Sequence, residues 1–87
     1  EDNTAMPATF LMQQMEWREA LDEAASAQDV DALRSSVRAA EQEAFSRCAE
    51  AIDGRGDFAA AAREVRALMF LARFAGSVEQ RAEHLGQ

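Results

Sequence analysis

The side chains in this sequence able to do chemistry are few: one histidine, His84, one cysteine, Cys48, the adjacent hydroxyls Ser35 and Ser36, and a carboxylate run at Glu16, Glu19, Asp22 and Glu23. A nucleophile needs a base within hydrogen-bond reach and usually a third group to orient that base. Neither serine has a sequence neighbour of that kind, and the chain holds no lysine and no tyrosine. The carboxylates could serve acid–base work, but at spacings of three and four on a helix they read first as a solvated face. No His/Cys/Asp spacing matches a metal-ligand set, and no glycine-rich loop could cradle a phosphate. Cys48 falls in phase with an apolar helical stripe, where a lone cysteine is a small core residue. The chain is expected to be no enzyme and to hold no cofactor or metal.

What remains is apolar chemistry, concentrated in FLMQQMEWREAL at residues 10–21. On a helix Phe10, Trp17 and Leu21 fall within about 40° of one another, a narrow stripe suited to a core. Leu11, Met12 and Met15 lie roughly 100° to 200° away from Phe10. Two readings account for them. A neighbouring helix reaches round and covers them as a wider core, or they form a protein-binding patch rimmed by Glu19, Asp22 and Glu23. Methionine suits an adaptable contact surface, and an apolar centre with a charged rim is common interface anatomy. Periodicity leaves both open.

Three helices must position these groups. The first is expected over about 8–25, with Pro7 in its opening turn, where the missing N–H does no harm. SAQD breaks the pattern, and Asp29 is a candidate N-cap for a second helix over about 30–53. That helix carries Val30, Leu33, Val37, Ala40, Ala44, Cys48, Ala51 and Ile52 on one face. DGRGD at 53–57 supplies Gly54 as a stop and Asp57 as the next N-cap. Its Arg-Gly-Asp, a tripeptide of adhesion ligands, is read as coincidence within a turn. The third helix is expected over about 58–85, weakened by Gly76 and Ser77. Phe58, Val65, Met69 and Ala72 are taken as its core face, which leaves Phe70 and Phe74 displaced. Short connections and few breakers make this an all-α chain, a three-helix antiparallel bundle in one domain.

Composition narrows the partners. Nine basic residues, all arginine, stand against sixteen acidic ones, a formal charge of −7. That sign argues against nucleic acid, which needs a concentrated basic surface, and against an anionic membrane. No apolar run approaches the roughly 20 residues of a bilayer span, and EDNTAMPATF is not a signal peptide. One cysteine allows no internal disulfide. A cytoplasmic location is expected, and the opening Glu1 suggests a piece of a longer protein.

FLMQQMEWREALDEA closely resembles the opening helix of the C-terminal domain of the HscB family, the J-domain co-chaperones of iron–sulfur cluster assembly. RALMFLARFAGSVEQ is similar to that family's last helix, and the order of segments fits across essentially the whole chain. The first motif is specific: FLM, a further apolar residue three positions on, then E-x-R-E-x-L-D. The resemblance implies a domain that holds IscU, the scaffold on which clusters are built, for delivery to the chaperone HscA. Residue by residue, it places the scaffold-binding patch on Leu11, Met12, Met15 and Phe70, with acidic companions at Glu16, Glu19 and Glu23. Met15 stands where leucine is common in that family. The family's His-Pro-Asp tripeptide, which acts on HscA, does not occur in these 87 residues. The alternative function is a structural bundle that uses the same apolar face for self-association.

Overall fold

Ser26 opens the second helix, not Asp29. In a computed structural model that describes residues 8–86, the chain forms α1 (Ala8–Glu23), α2 (Ala27–Ala49) and α3 (Phe58–His84), with a π-helical turn at Glu50–Gly54. Pro7 lies outside the described residues. Ser26 Oγ accepts from the Asp29 amide at 3.1 Å, while Asp29 Oδ2 accepts from the Ala25 amide at 3.0 Å. The two side chains satisfy each other's end of the turn, which moves the helix start three residues ahead of the expected one. Asp57 caps α3 by accepting from the Ala60 amide at 3.0 Å. Between α2 and α3 the left-handed residue is Gly56, with φ 62°, rather than Gly54. α3 continues as α-helix through Gly76 and Ser77.

Register follows from charge and ring contacts. Arg34 binds Glu79 and Arg47 binds Glu64, so α2 and α3 run antiparallel. Phe10 meets Phe70, Trp17 meets Phe74, and Arg81 reaches the carbonyls of Asp22 and Ala24, so α1 runs parallel to α3 along its second half. All three helices share a core of Val30, Leu33, Val37, Leu71, Phe74 and Val78, with Phe10, Trp17 and Leu21 packed on it. Below the level of Phe70 the structure narrows to a hairpin of α2 and α3. There the buried residues are Ala44, Ala51, Ala61 and Ala67, whose small size lets two backbones approach closely.

That narrowing overturns the expected face of α3. Phe58, Val65 and Met69 are 70%, 46% and 54% exposed, and Ala72 is exposed, whereas Phe70 and Phe74 are buried. Helix three carries two apolar stripes on opposite sides. The one built from Ala67, Phe70, Leu71, Phe74, Val78 and Ala82 faces the other helices, because it alone extends alongside α1. Ile52, taken as core, is 44% exposed in the π-helical turn, where α1 does not reach.

Candidate functional site

Once Phe10, Trp17 and Leu21 turn α1 toward the core, helical geometry directs Leu11, Met12 and Met15 outward. Their exposures are 47%, 60% and 69%, so neither α2 nor α3 reaches round to cover them. Glu16, Glu19, Asp22 and Glu23 continue the same face toward the C-terminal end of α1 and are also exposed. Met12, Met15, Glu16, Glu19 and Asp22, together with Arg18, line one shallow depression. The result is an apolar centre at the start of the helix and a carboxylate rim along its end. Such a surface can bind apolar side chains and attract cations; it presents no nucleophile–base pair.

Phe70 sits elsewhere. It is 9% exposed, its ring edge-on to Phe10 with centroids 5.7 Å apart and stacked on Phe74 at 5.8 Å. Phe74 in turn stacks on Trp17 at 5.6 Å. Four aromatic rings thus lock α1 to α3 from below. The expectation that Phe70 is displaced from the core fails, because the face taken as core, that of Phe58, is the exposed stripe of α3. Phe70 also lines a groove between α1 and α3, with Gln14, Arg18, Arg73 and Ser77 around it. It therefore supports the helix that bears the patch and reaches solvent only at the groove floor.

Other reactive groups have structural surroundings. Cys48 is half-buried, its Sγ 3.8 Å from the Ala61 carbonyl, and Ser77 Oγ donates to the Arg73 carbonyl at 3.4 Å. Among the described residues no group of three His, Cys, Asp or Glu side chains is placed to hold a metal ion, and no helix is long and apolar enough to cross a membrane. What the sequence reading missed is the second exposed apolar surface, on α3 and the edge of α2: Phe58, Val65 and Met69 with Phe45 at 63% and Ile52 at 44%. The signal was the same spacing by threes and fours, assigned to the interior.

The chain matches the family model described as the HSCB C-terminal oligomerisation domain over residues 6–79. It is 42% identical to a protein of Azoarcus sp. named co-chaperone protein HscB homolog, over 98% of this chain and 50% of the relative. A homolog of the same name from Burkholderia multivorans is 44% identical over 98% and 50%. One from Ralstonia nicotianae is 47% identical over 82% of this chain and 42% of the relative. The chain thus spans about half the length of the curated relatives it matches. No solved structure matches it.

Proposed function

The chain belongs to the HscB C-terminal domain family, and from that membership we propose that it serves a co-chaperone of iron–sulfur cluster assembly by holding the scaffold. The bound partner is an IscU-type scaffold protein, delivered to an HscA-type chaperone by the full-length co-chaperone in the cytoplasm. The domain does no catalysis of its own. Leu11, Met12 and Met15 form the apolar contact, Glu16, Glu19 and Glu23 draw in a basic rim on the partner, and Phe70 acts from beneath by fixing α1.

One observation carries this reading: three large apolar side chains stand 47% to 69% exposed on a helix whose other apolar face is packed. Exposed apolar groups gathered on one face mark an interaction surface. The test is calorimetric titration of the purified scaffold into this domain. Micromolar or tighter binding that is lost in Met12→Ser/Met15→Ser, with the melting temperature unchanged, supports it. Unchanged binding by that variant moves the scaffold to another face.

Self-association is the second reading, supported by the word oligomerisation in the family description. If α1 served it, molar mass would rise with concentration and fall back in Met12→Ser/Met15→Ser.

A further inference from the structure

The two flanks of the α1 patch carry opposite charge. Arg18 stands seven residues after Leu11 and so continues its line along α1, while Glu16, Glu19 and Glu23 fall roughly 100° to 160° round the helix from it. Arg18 on α1 and Arg73 on α3 line the two walls of the groove between those helices, a space of about 560 Å³ floored by Leu21, Phe70 and Phe74. Arg18 also borders the depression that holds Met12 and Met15, so the groove and the patch form one continuous surface.

Three other arginines that reach a second helix are satisfied there. Arg34 holds Glu79, Arg47 holds Glu64, and Arg81 holds the carbonyls at the end of α1. Among the described residues neither Arg18 nor Arg73 has an ion-pair partner. Asp22, one turn beyond Arg18 on the same groove, forms no ion pair with it, and Arg81 already brings a guanidinium to that end. Two guanidinium groups over an apolar floor, in a chain of formal charge −7, make a local positive field of the kind that a cleft focuses. The groove suits an anion with an apolar stem. A glutamate side chain has both parts: methylenes for the floor, and a carboxylate that a guanidinium fork binds through two hydrogen bonds. A free ion would use the guanidinium groups alone, in a groove open to solvent.

We infer that an acidic side chain of the protein docked on Leu11, Met12 and Met15 enters the α1–α3 groove, its carboxylate between Arg18 and Arg73 and its methylenes on the floor of Phe70 and Phe74. The identity of that protein rests on the scaffold reading; the chemistry of the groove does not. The partner then shows basic residues to Glu16, Glu19 and Glu23 on one side of its apolar contact and a carboxylate on the other, which fixes the direction in which it lies across α1. A partner turned end for end meets like charges on both sides. The sign of the arginine effect separates this contact from the general field. Removing two arginines takes the formal charge from −7 to −9, which strengthens attraction for a partner drawn in by the carboxylate rim, whereas loss of a carboxylate clamp weakens binding.

The experiment is calorimetric titration of the scaffold into this domain and into Arg18→Gln/Arg73→Gln, with Arg38→Gln/Arg55→Gln as a control of equal charge whose residues lie off the groove. Expected is at least a tenfold loss of affinity in the first variant and no loss in the control. Arg18→Lys/Arg73→Lys should recover part of it, since an ammonium keeps the charge without the fork. One Asp or Glu of the scaffold, changed to its amide, should reproduce the loss and add nothing in the arginine variant. Both arginines are exposed, so melting temperatures should match; should the double variant melt early, Arg73→Gln alone decides, with a loss of at least threefold expected. If the wild type binds no scaffold, the scaffold reading fails and the blocked tripeptide Leu-Glu-Leu decides for the groove: saturable shifts of the Arg18 and Arg73 Nε–H signals, absent with Leu-Gln-Leu, uphold it, and no response overturns it. Unchanged or tighter binding by Arg18→Gln/Arg73→Gln, an equal loss in the control, or no scaffold carboxylate that reproduces the loss each overturns the inference. So does a molar mass of the domain alone that falls in the arginine variant, because a second copy's carboxylates then fill the groove.

Discussion

The rings of Phe10 and Phe70 meet edge to face, with centroids 5.7 Å apart and planes at 83°. Through this contact the start of α1, where Leu11 and Met12 reside, is tied to the middle of α3. In the proposed reading, a residue buried in that way acts on binding through the position of the helix.

Phe70→Ala is expected to destabilise the fold by about 3–5 kcal/mol, since it removes a buried ring and leaves a cavity. Phe10→Ala should cost less, because Phe10 is only half-buried. A double-mutant cycle should give a coupling of about 0.5–1.5 kcal/mol for the pair. Phe70→Leu should recover most of the stability and, with α1 back in place, most of the scaffold affinity. If Phe70→Leu folds as the wild type yet binds no scaffold, the ring itself touches the partner through the groove.

How far the sequence revealed this is clearest in the contrast between α1 and α3. On α1 the arc of Phe10 and Trp17 continues to Leu21, whereas that of Leu11, Met12 and Met15 gives way to Glu16 and Glu19, so phase divides the two sets but leaves open what covers the second. α3 has no such asymmetry in its first half. Phe58, Val65 and Met69 form as good a stripe as Ala67, Phe70, Leu71 and Phe74, and periodicity carries no information about which one faces a neighbour. Its end does: the buried stripe continues to Val78 and Ala82, while the exposed one gives way to polar Gln80 and Glu83 after Gly76. The length of α1 decides the matter, since a 16-residue helix starting level with Phe70 leaves the first turns of α3, among the described residues, with α2 alone. The family resemblance implies Phe70 for the patch, but carries no sign that its ring is buried against Phe10.

Arg81 is expected to be a fastening point for α1. Its Nε and Nη2 donate to the Ala24 carbonyl at 3.1 and 2.8 Å, and Nη2 also reaches the Asp22 carbonyl at 3.3 Å. These carbonyls lie at the end of α1, where the helix supplies no partner of its own. Arg81→Ala should cost about 1–3 kcal/mol, and Arg81→Lys should restore only part of it, because an ammonium cannot reproduce the planar fork. Urea unfolding followed by Trp17 emission reports the loss. Wild-type stability in Arg81→Ala would mean that water replaces the guanidinium at no cost.

Acid should loosen the α2–α3 clamp. Arg34 donates to both oxygens of Glu79 at 2.7 Å and to Asp31 at 2.6 Å. The hydrogen bonds from Arg34 hold the Glu79 carboxyl below its ordinary value of 4.5. The unfolded chain therefore binds that proton more readily than the folded one, and stability rises with pH across the interval. The contribution is complete above 4.5 and disappears as pH falls through the lower folded value. Glu79→Gln should be less stable than wild type at neutral pH, with the gap closing in acid. Urea midpoints across that range check it; a gap independent of pH would show that Glu79 ionisation contributes nothing.

The two halves of the proposed scaffold site should separate kinetically. Leu11 and Met15 are 47% and 69% exposed, so Leu11→Ala and Met15→Ala should each change stability by only about 0.5 kcal/mol, as surface substitutions do. A central apolar contact at an interface is worth about 2 kcal/mol or more, and its loss appears as faster dissociation. The carboxylates act earlier. Glu16, Glu19 and Glu23 are solvent-exposed charges at the rim, which steer encounter more than they hold the complex. Glu16→Gln/Glu19→Gln/Glu23→Gln should slow association at low salt, and the difference from wild type should fade as salt screens the field. Stopped-flow association and dissociation rates with the scaffold, measured for both sets of variants, test this division. A Leu11→Ala variant that melts as early as Leu21→Ala would place Leu11 in the core after all, and a rim variant that alters only dissociation would make the carboxylates direct contacts.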